Sequence, residues 1–142
     1  MKIMSVDLGL SRTGIAVCDP FEMLASPDCV IFEKKEERLI DKIIDKAKEL
    51  NVSMIVVGLP KNMDGTEGER AQECKRIAGI IHEKSQIETN MWDERCTTVS
   101  AINALNVTNT RGAKRKAVVD AVAAVMILQS YLDYRKNQGI KP

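Results

Sequence analysis

Residues 2–18 read KIMSVDLGLSRTGIAVC, and this stretch decides the fold. Two apolar, β-prone runs, residues 3–6 and 15–18, flank a turn rich in glycine, serine and threonine, which predicts a β-hairpin. Asp7 stands where the first strand meets the turn. A carboxylate beside a sheet core is costly unless it is paired or bound to a cation. Asp7 is therefore either an ordinary turn residue, since aspartate favours turns, or part of a site that holds a cation.

Outward from the hairpin, the chain alternates between strands and helices. We predict strands at 28–32, 54–60 and 87–92, and helices at 34–50, about 67–84, 99–105 and about 114–137. Thr66 and Glu69 have the spacing of a capping box for the second of these helices. The continuous apolar run at 54–60 follows a helix, which indicates a parallel crossover. We therefore expect an α/β fold in one domain, residues 1–142, with a mixed sheet flanked by helices on both faces.

The composition is that of an ordinary globular protein. Of the 142 residues, 44% are hydrophobic and 29% are charged, and no apolar run approaches the roughly 20 residues that a membrane helix needs. With no signal-peptide pattern, we expect a cytoplasmic protein without membrane contacts. The net charge of +1 predicts that any nucleic-acid binding depends on a local patch. Four dispersed cysteines and one histidine argue against a zinc site.

Acidic residues in unexpected surroundings point to a site. Asp120 lies in a run, 118–128, whose other residues are all apolar, and a helix that is apolar nearly all round is buried nearly all round. Its charge is either paired with Lys116, one turn earlier, or directed at a cation. Asp93 and Glu94 follow a predicted strand. Because successive side chains alternate between the two faces of a strand, at most one of them can share a site with Asp7.

Three carboxylates without histidine or cysteine suit Mg²⁺ or Mn²⁺. Two such ions, roughly 3.5–4 Å apart, can activate water and stabilise the leaving oxygen in phosphodiester hydrolysis. A basic segment precedes Asp120 and comprises Arg111, Lys114, Arg115 and Lys116. It is either a solvated helix start or a contact for a nucleic-acid backbone. Cations at a helix N-terminus oppose the macrodipole, which favours the binding role.

Four blocks of sequence resemble the YqgF/RuvX family. They are DLGLSRTGIA from Asp7, GLPKNMDG from Gly58, WDER from Trp92, and DAVAA from Asp120 with Ile127-Leu128 behind it. The blocks occur in the family's order and span nearly the whole chain. The resemblance implies an RNase H-like fold and a metal-dependent nuclease, a hydrolase acting on ester bonds. It also implies a role in processing the 5′ end of pre-16S rRNA in ribosome biogenesis or, alternatively, in resolving Holliday junctions during DNA recombination and repair.

The resemblance further implies roles for individual residues. Asp7, Glu94 (in preference to Asp93) and Asp120 would be the catalytic acids and the metal ligands, holding Mg²⁺ or Mn²⁺ as two ions. Contacts to the substrate backbone would come from Arg12, Asn62, Arg95 and Lys116.

Two other classes of function fit parts of the sequence less well than a nuclease. A non-catalytic nucleic-acid-binding module would keep the fold, but it gains nothing from carboxylates clustered near phosphates. A sugar kinase or actin-like ATPase also opens with Asp-x-Gly and a hairpin, but it needs two such domains. The substrate stays open between structured RNA such as pre-16S rRNA, which a monomer can process by recognising 2′-hydroxyls, and branched DNA, which requires a homodimer. On the resemblance, we expect RNA processing.

Overall fold

The computed structural model describes residues 1–61, 64–94 and 113–139, with the backbone alone for 113–120. Within these ranges the strands are β1 (Ile3–Leu8), β2 (Arg12–Cys18), β3 (Ala25–Phe32), β4 (Met54–Leu59) and β5 (Glu88–Asp93). The helices there are α1 (Glu36–Glu49), α2 (Glu69–Ser85) and α3 (Ala113–Asn137). The strands form one sheet in the order β3-β2-β1-β4-β5. No helix in the described ranges is long and apolar enough to cross a membrane.

The predicted hairpin and the parallel crossover are both confirmed. β1 and β2 pair antiparallel, with Asp7 opposite Gly14. The turn between them needs Gly9, because a Cβ there would collide with the carbonyl oxygen of Arg12. β4 pairs parallel to β1 on one side and parallel to β5 on the other. The carboxyl ends of β1, β4 and β5 therefore meet at one edge of the sheet.

Two hydrophobic clusters hold the layers together, one on each face of the sheet. On one face, Val6, Leu8 and Ile55 pack with the buried sides of α1 and α2. On the other face, Ile3 and Val56 pack against α3. Ser5 lies on the α3 face, where its hydroxyl donates a 2.6 Å hydrogen bond to the carbonyl of Ala124. The mixed sheet with helices on both faces is thus confirmed.

Two local predictions need correction. β3 begins at Ala25 rather than 28, because the edge position of the strand tolerates Pro27. The capping box is wrong: the residue before α2 is Gly68, with no side-chain cap. Asp64 instead accepts hydrogen bonds from the backbone N–H and the hydroxyl of Thr66, at 2.9 and 2.6 Å. The helix predicted at 99–105 lies outside the described residues.

Candidate active site

Asp7 and Glu94 come together at the carboxyl edge of the sheet. Asp7 is the penultimate residue of β1, and because its neighbours Val6 and Leu8 enter the α1–α2 core, its side chain lies on the α3 face. Glu94 directly follows β5. The two carboxyl groups lie close enough for one to donate a hydrogen bond to the other when it holds a proton. Asp93 is the last residue of β5, and Glu94 is the acid whose interaction with Asp7 is described.

Gly58 makes room for this contact. It lies on β4, between the strands that carry the two acids, and pairs with Trp92. A Cβ at Gly58 would stand 2.7 Å from Glu94 Oε1 and 2.5 Å from Ile127 Cδ1. Carbon atoms are not found that close to such neighbours, so any side chain at this position would displace the carboxylate, the isoleucine or both. The glycine in the GLPKNMDG block therefore leaves the space that the Glu94 side chain occupies.

Without a bound cation, the burial of Asp7 and Glu94 and the repulsion between their charges destabilise the ionised pair. Burial is the main cause of the raised pKa of Asp7, opposed by its hydrogen bond with Glu94 and by the charge of Arg70. Burial and then the charge of Asp7 raise the pKa of Glu94 to about 7. Adjacent oxygen donors whose negative charges are under-compensated fit a hard divalent cation, which prefers carboxylate oxygens. The donor chemistry of the pair therefore fits Mg²⁺ or Mn²⁺.

The metal-free protein should lose stability as pH rises from about 5 to 8. The folded state holds a proton on Glu94 above the ordinary pKa of 4.5, so the stabilisation is complete below that value and is lost as pH passes the folded pKa. Relative to Glu94→Gln, we expect the wild type to lose roughly 1–2 kcal/mol over this range, allowing for solvent screening. Urea unfolding in chelator at several pH values measures this difference. If the free energy of unfolding changed with pH in the same way in the two proteins, the raised pKa of Glu94 beside Asp7 would be contradicted.

Arg70 is a functional candidate that the sequence reasoning missed. It lies in the first turn of α2, where it donates one hydrogen bond to the carbonyl of Leu8 and another, of 3.0 Å, to Glu73. Its charge lowers the pKa of both Asp7 and Glu94. Arg70 thus connects α2 to the end of β1 and partly compensates the acidic pair. A cation in the first turn of a helix opposes the macrodipole, and that signal in the sequence could have identified it.

Replacing Arg70 with methionine should lower the free energy of unfolding by about 1–2 kcal/mol. The change leaves the half-buried carbonyl of Leu8 without its donor, and an unsatisfied group costs more than a lost surface contact. Arg76→Met is the matched control on the same helix, because its hydrogen bonds of 2.6 and 2.8 Å to Glu36 are exposed. The control should change stability by less than about 1 kcal/mol. If chemical denaturation gave equal losses in the free energy of unfolding for the two variants, the hydrogen bond from Arg70 to the Leu8 carbonyl would have no particular importance for stability.

The remaining predicted site residues are only partly described. Arg12 begins β2, is exposed, and holds its guanidinium carbon 5.6 Å from the ring centroid of Phe32. Asn62 and Arg95 lie outside the described residues, as does Arg111 of the basic segment. Asp120 and Lys116 belong to α3 by their backbone, but their side chains are not described. Within the described residues, no three histidine, cysteine or acidic side chains form a metal-binding group.

The path of α3 sets the position of the Asp120 backbone. Tyr131 donates its hydroxyl to the sulfur of Met54, which pairs with Ile3 at the start of β1, whereas Ala124 lies against Ser5. α3 therefore runs antiparallel to β1. Asp120 precedes Ala124 by about one turn of helix, so its backbone lies toward the end of the sheet that carries Asp7.

Comparison with known proteins identifies the family. The family model described as "RuvX: Holliday junction resolvase" matches residues 1–134. The chain belongs to the RuvX family. Its relatives include a protein of Bacillus cytotoxicus, 42% identical over 135 residues that cover 94% of this chain and 98% of the relative. Another, of Clostridium kluyveri, is 40% identical over 133 residues, covering 94% and 97% respectively. Both relatives are named as pre-16S rRNA nucleases.

Solved structures share the fold of this RuvX-family chain at low sequence identity. Thermus thermophilus RuvC in complex with a Holliday junction substrate matches with a TM-score of 0.69 and 10% identity, covering 100% of this chain and 99% of RuvC. The Holliday junction resolvase of fowlpox virus matches with a TM-score of 0.57 and 10% identity, covering 94% and 99%. The family, the α/β fold and the nuclease class predicted from the sequence are thereby confirmed.

Proposed function

We propose that this RuvX-family chain is a divalent-metal-dependent endonuclease that processes the 5′ end of pre-16S rRNA. The observation that carries the proposal is the contact between Asp7 and Glu94, two half-buried carboxylates from different strands held together over Gly58. Repulsion between adjacent carboxylates does not stabilise the fold. It also does not help a protein that only binds nucleic acid, because the phosphates are negatively charged too. A nuclease uses clustered carboxylates to hold a cation against the scissile phosphate.

The residues that would hold the metal are Asp7, Glu94 and Asp120. Bound there, Mg²⁺ or Mn²⁺ would activate a water molecule and stabilise the leaving oxygen, two ions doing so together in the expected arrangement. The chain itself contributes position and charge. β1 and β5 fix the two carboxylates, Gly58 leaves them space, and Arg70 limits their repulsion while the site is empty of substrate.

The position of Asp120 on α3 makes it the third candidate metal ligand. The helix covers the face of the sheet to which Asp7 points, and its backbone at residue 120 lies toward the Asp7 end. The neighbouring positions Ala121, Ala124 and Val125 are buried, whereas Val122 and Ala123 are half-buried, so this part of the helix is buried on one side rather than all round. A carboxylate carried on this turn is therefore well placed to complete the group that Asp7 and Glu94 begin.

The choice of RNA over DNA rests on the names of the relatives, which specify pre-16S rRNA. The family description names a Holliday junction resolvase instead, which makes junction cleavage the second candidate. The two differ in what they demand of the protein. A resolvase must cut two strands symmetrically and so needs a dimer with paired sites, whereas one site is enough to trim a precursor RNA.

A cleavage assay that compares the two substrates tests the proposal. The purified protein, with Mg²⁺ or Mn²⁺, is incubated with an end-labelled RNA containing the pre-16S 5′ leader and, in parallel, with a labelled four-way DNA junction. We expect cleavage of the RNA at one defined position and none of the junction. Symmetric nicking of the junction alone would replace rRNA processing by resolution. Binding without cleavage of either substrate would contradict a nuclease.

A further inference from the structure

An open groove lies beside the β1–β2 turn. Its volume is about 540 Å³, and four cations and one aromatic ring line it: Arg12, Phe32, Lys34, Lys35 and Arg38. The family resemblance assigns Arg12 to the substrate. The other four residues have no part in the chemistry described above, and no sequence block of the family includes them.

Phe32 offers an aromatic surface to solvent. It is the last residue of β3, and 63% of it is exposed. Its cross-strand partner is Arg12, whose guanidinium lies over the ring. An exposed ring with a neighbouring cation is the kind of platform on which an unpaired base stacks, because stacking needs a free base face. Bases in a duplex are already stacked on each other and leave no such face.

Phosphates can reach three of the four cations of the groove. Lys34, Lys35 and Arg38 are exposed, and none of them forms an ion pair with a carboxylate of the described residues. Glu33, the acid in the groove lining, is already bound by Lys42 at 3.1 Å. The groove lining therefore carries more positive than negative residues, as suits binding of a nucleic-acid backbone, although the net charge of the chain is only +1.

Arg12 and Phe32 of the groove lie on the same face of the sheet as Asp7, whereas Lys35 and Arg38 lie at the start of α1, which covers the other face. Gly14 stands opposite Asp7 on one side and opposite Val30 on the other, and Arg12 and Phe32 pair two residues further along. Paired residues on neighbouring strands share a face, as do residues two apart on one strand. The strand spacings place the Cα of Phe32 about 12 Å from the Cα of Asp7. A polynucleotide can span that distance with a few nucleotides.

We propose that Phe32, Lys34, Lys35 and Arg38 form, together with Arg12, a binding site for an unpaired nucleic-acid strand leading to the cleavage site. The cations bind its phosphates and Phe32 stacks against one of its bases. The inference rests on the proposed nuclease function for what is bound. It adds that the substrate carries a single-stranded segment on the β3 side of the scissile bond.

Fluorescence anisotropy tests the aromatic platform without cleavage. A labelled 12-nucleotide RNA, the DNA of the same sequence and a blunt duplex are titrated with the metal-free protein in chelator. We expect both single strands to bind more tightly than the duplex, and Phe32→Ala to weaken their binding about tenfold. Phe32→Trp should restore it. Phe21→Ala is the matched control, because Phe21 is 72% exposed in the turn at the other end of β2, and it should bind like the wild type.

The salt dependence of single-strand binding tests the cations. Each phosphate contact contributes about 0.7 to the slope of log K against log salt concentration for a single strand, so Lys34→Gln with Lys35→Gln should reduce the slope by about 1.4. A control pair removes the same charge elsewhere. Lys48→Gln with Lys136→Gln changes two exposed lysines away from the groove and should leave the slope unchanged.

Each outcome bears on the inference separately from the nuclease proposal. Wild-type binding by a folded Phe32→Ala variant, or a duplex that binds as tightly as the strands, would overturn the groove site even if the wild type cleaves RNA. Binding that depends on Phe32 in a protein that cleaves nothing would support the groove and refute the nuclease. Tighter binding of RNA than of DNA would identify the strand as RNA, and equal binding would support recognition by phosphate and base alone.

Discussion

Asp7→Asn should reduce metal-dependent cleavage by at least about a hundredfold while leaving the fold intact. The amide is nearly isosteric with the carboxylate, so packing at the end of β1 is preserved, but an uncharged amide binds a hard cation poorly. Loss of an outer-shell partner of a metal already costs 10–100-fold, and removal of a ligand should cost more. Initial rates on the leader RNA, with unfolding measured on the same preparation, give both quantities. Asp120→Asn should behave in the same way.

Asp45→Asn is the control for this substitution. Asp45 is an exposed residue of α1, away from the carboxyl edge of the sheet, and the same change of charge there should leave the rate unchanged. A contaminating nuclease would survive Asp7→Asn, and cleavage that is the same in both variants but at other positions of the RNA would expose it. If purified Asp7→Asn protein cleaves the RNA as fast as the wild type at the same position, Asp7 is not a catalytic acid.

Gly58→Ala should reduce cleavage at least tenfold in a protein that still folds. The new Cβ would lie 2.7 Å from Glu94 Oε1 and 2.5 Å from Ile127 Cδ1. The carboxylate must move by a distance of the order of 1 Å, and a misplacement of that size in an active site can cost about a hundredfold in rate. Because Ile127 is buried, overpacking should also lower the free energy of unfolding by about 1–3 kcal/mol.

Gly79→Ala is the matched control for Gly58→Ala. Gly79 is an exposed residue of α2, and apart from its chain neighbours and the backbone of its own helix, no described atom lies within 4 Å of the place where its Cβ would be. Alanine is the better helix former, so this variant should gain about 0.5–1 kcal/mol of stability and keep its activity. Wild-type kcat and KM in folded Gly58→Ala protein would show that the space beside Gly58 for the Glu94 carboxylate has no catalytic importance.

The sequence predicted the fold well because its signals are local. Alternating and continuous apolar runs identified the five strands, and helical periodicity identified α1. The sequence did not show which of several competing local interactions forms, as at the start of α2 and of β3. Thr66 has the spacing of a cap, but its own N–H and hydroxyl are bound to Asp64. β3 extends through Pro27 because, among the described strands, none pairs with its far side.

The candidate site was predicted in part for a related reason. The position of Asp7 at a strand end and the isolation of Asp120 in an apolar helix are visible in the sequence. The choice between Asp93 and Glu94 is not, because it depends on where β5 ends and on the space above Gly58. Arg70 was missed because its contact with Leu8 joins residues 62 positions apart. The local sign of Arg70, a cation in the first turn of a helix, does not show which group it contacts.

Metal binding is the most direct test of the central claim that Asp7 and Glu94 hold a divalent cation. Isothermal titration calorimetry of Mn²⁺ into metal-free protein at pH 7.5 compares the wild type with Asp7→Asn, Glu94→Gln and the control Asp45→Asn. We predict a saturable site in the wild type and in Asp45→Asn, weakened at least about tenfold in each of the other two variants. Equal Mn²⁺ affinity in all four proteins, or no binding to the wild type at millimolar Mn²⁺, would contradict the account.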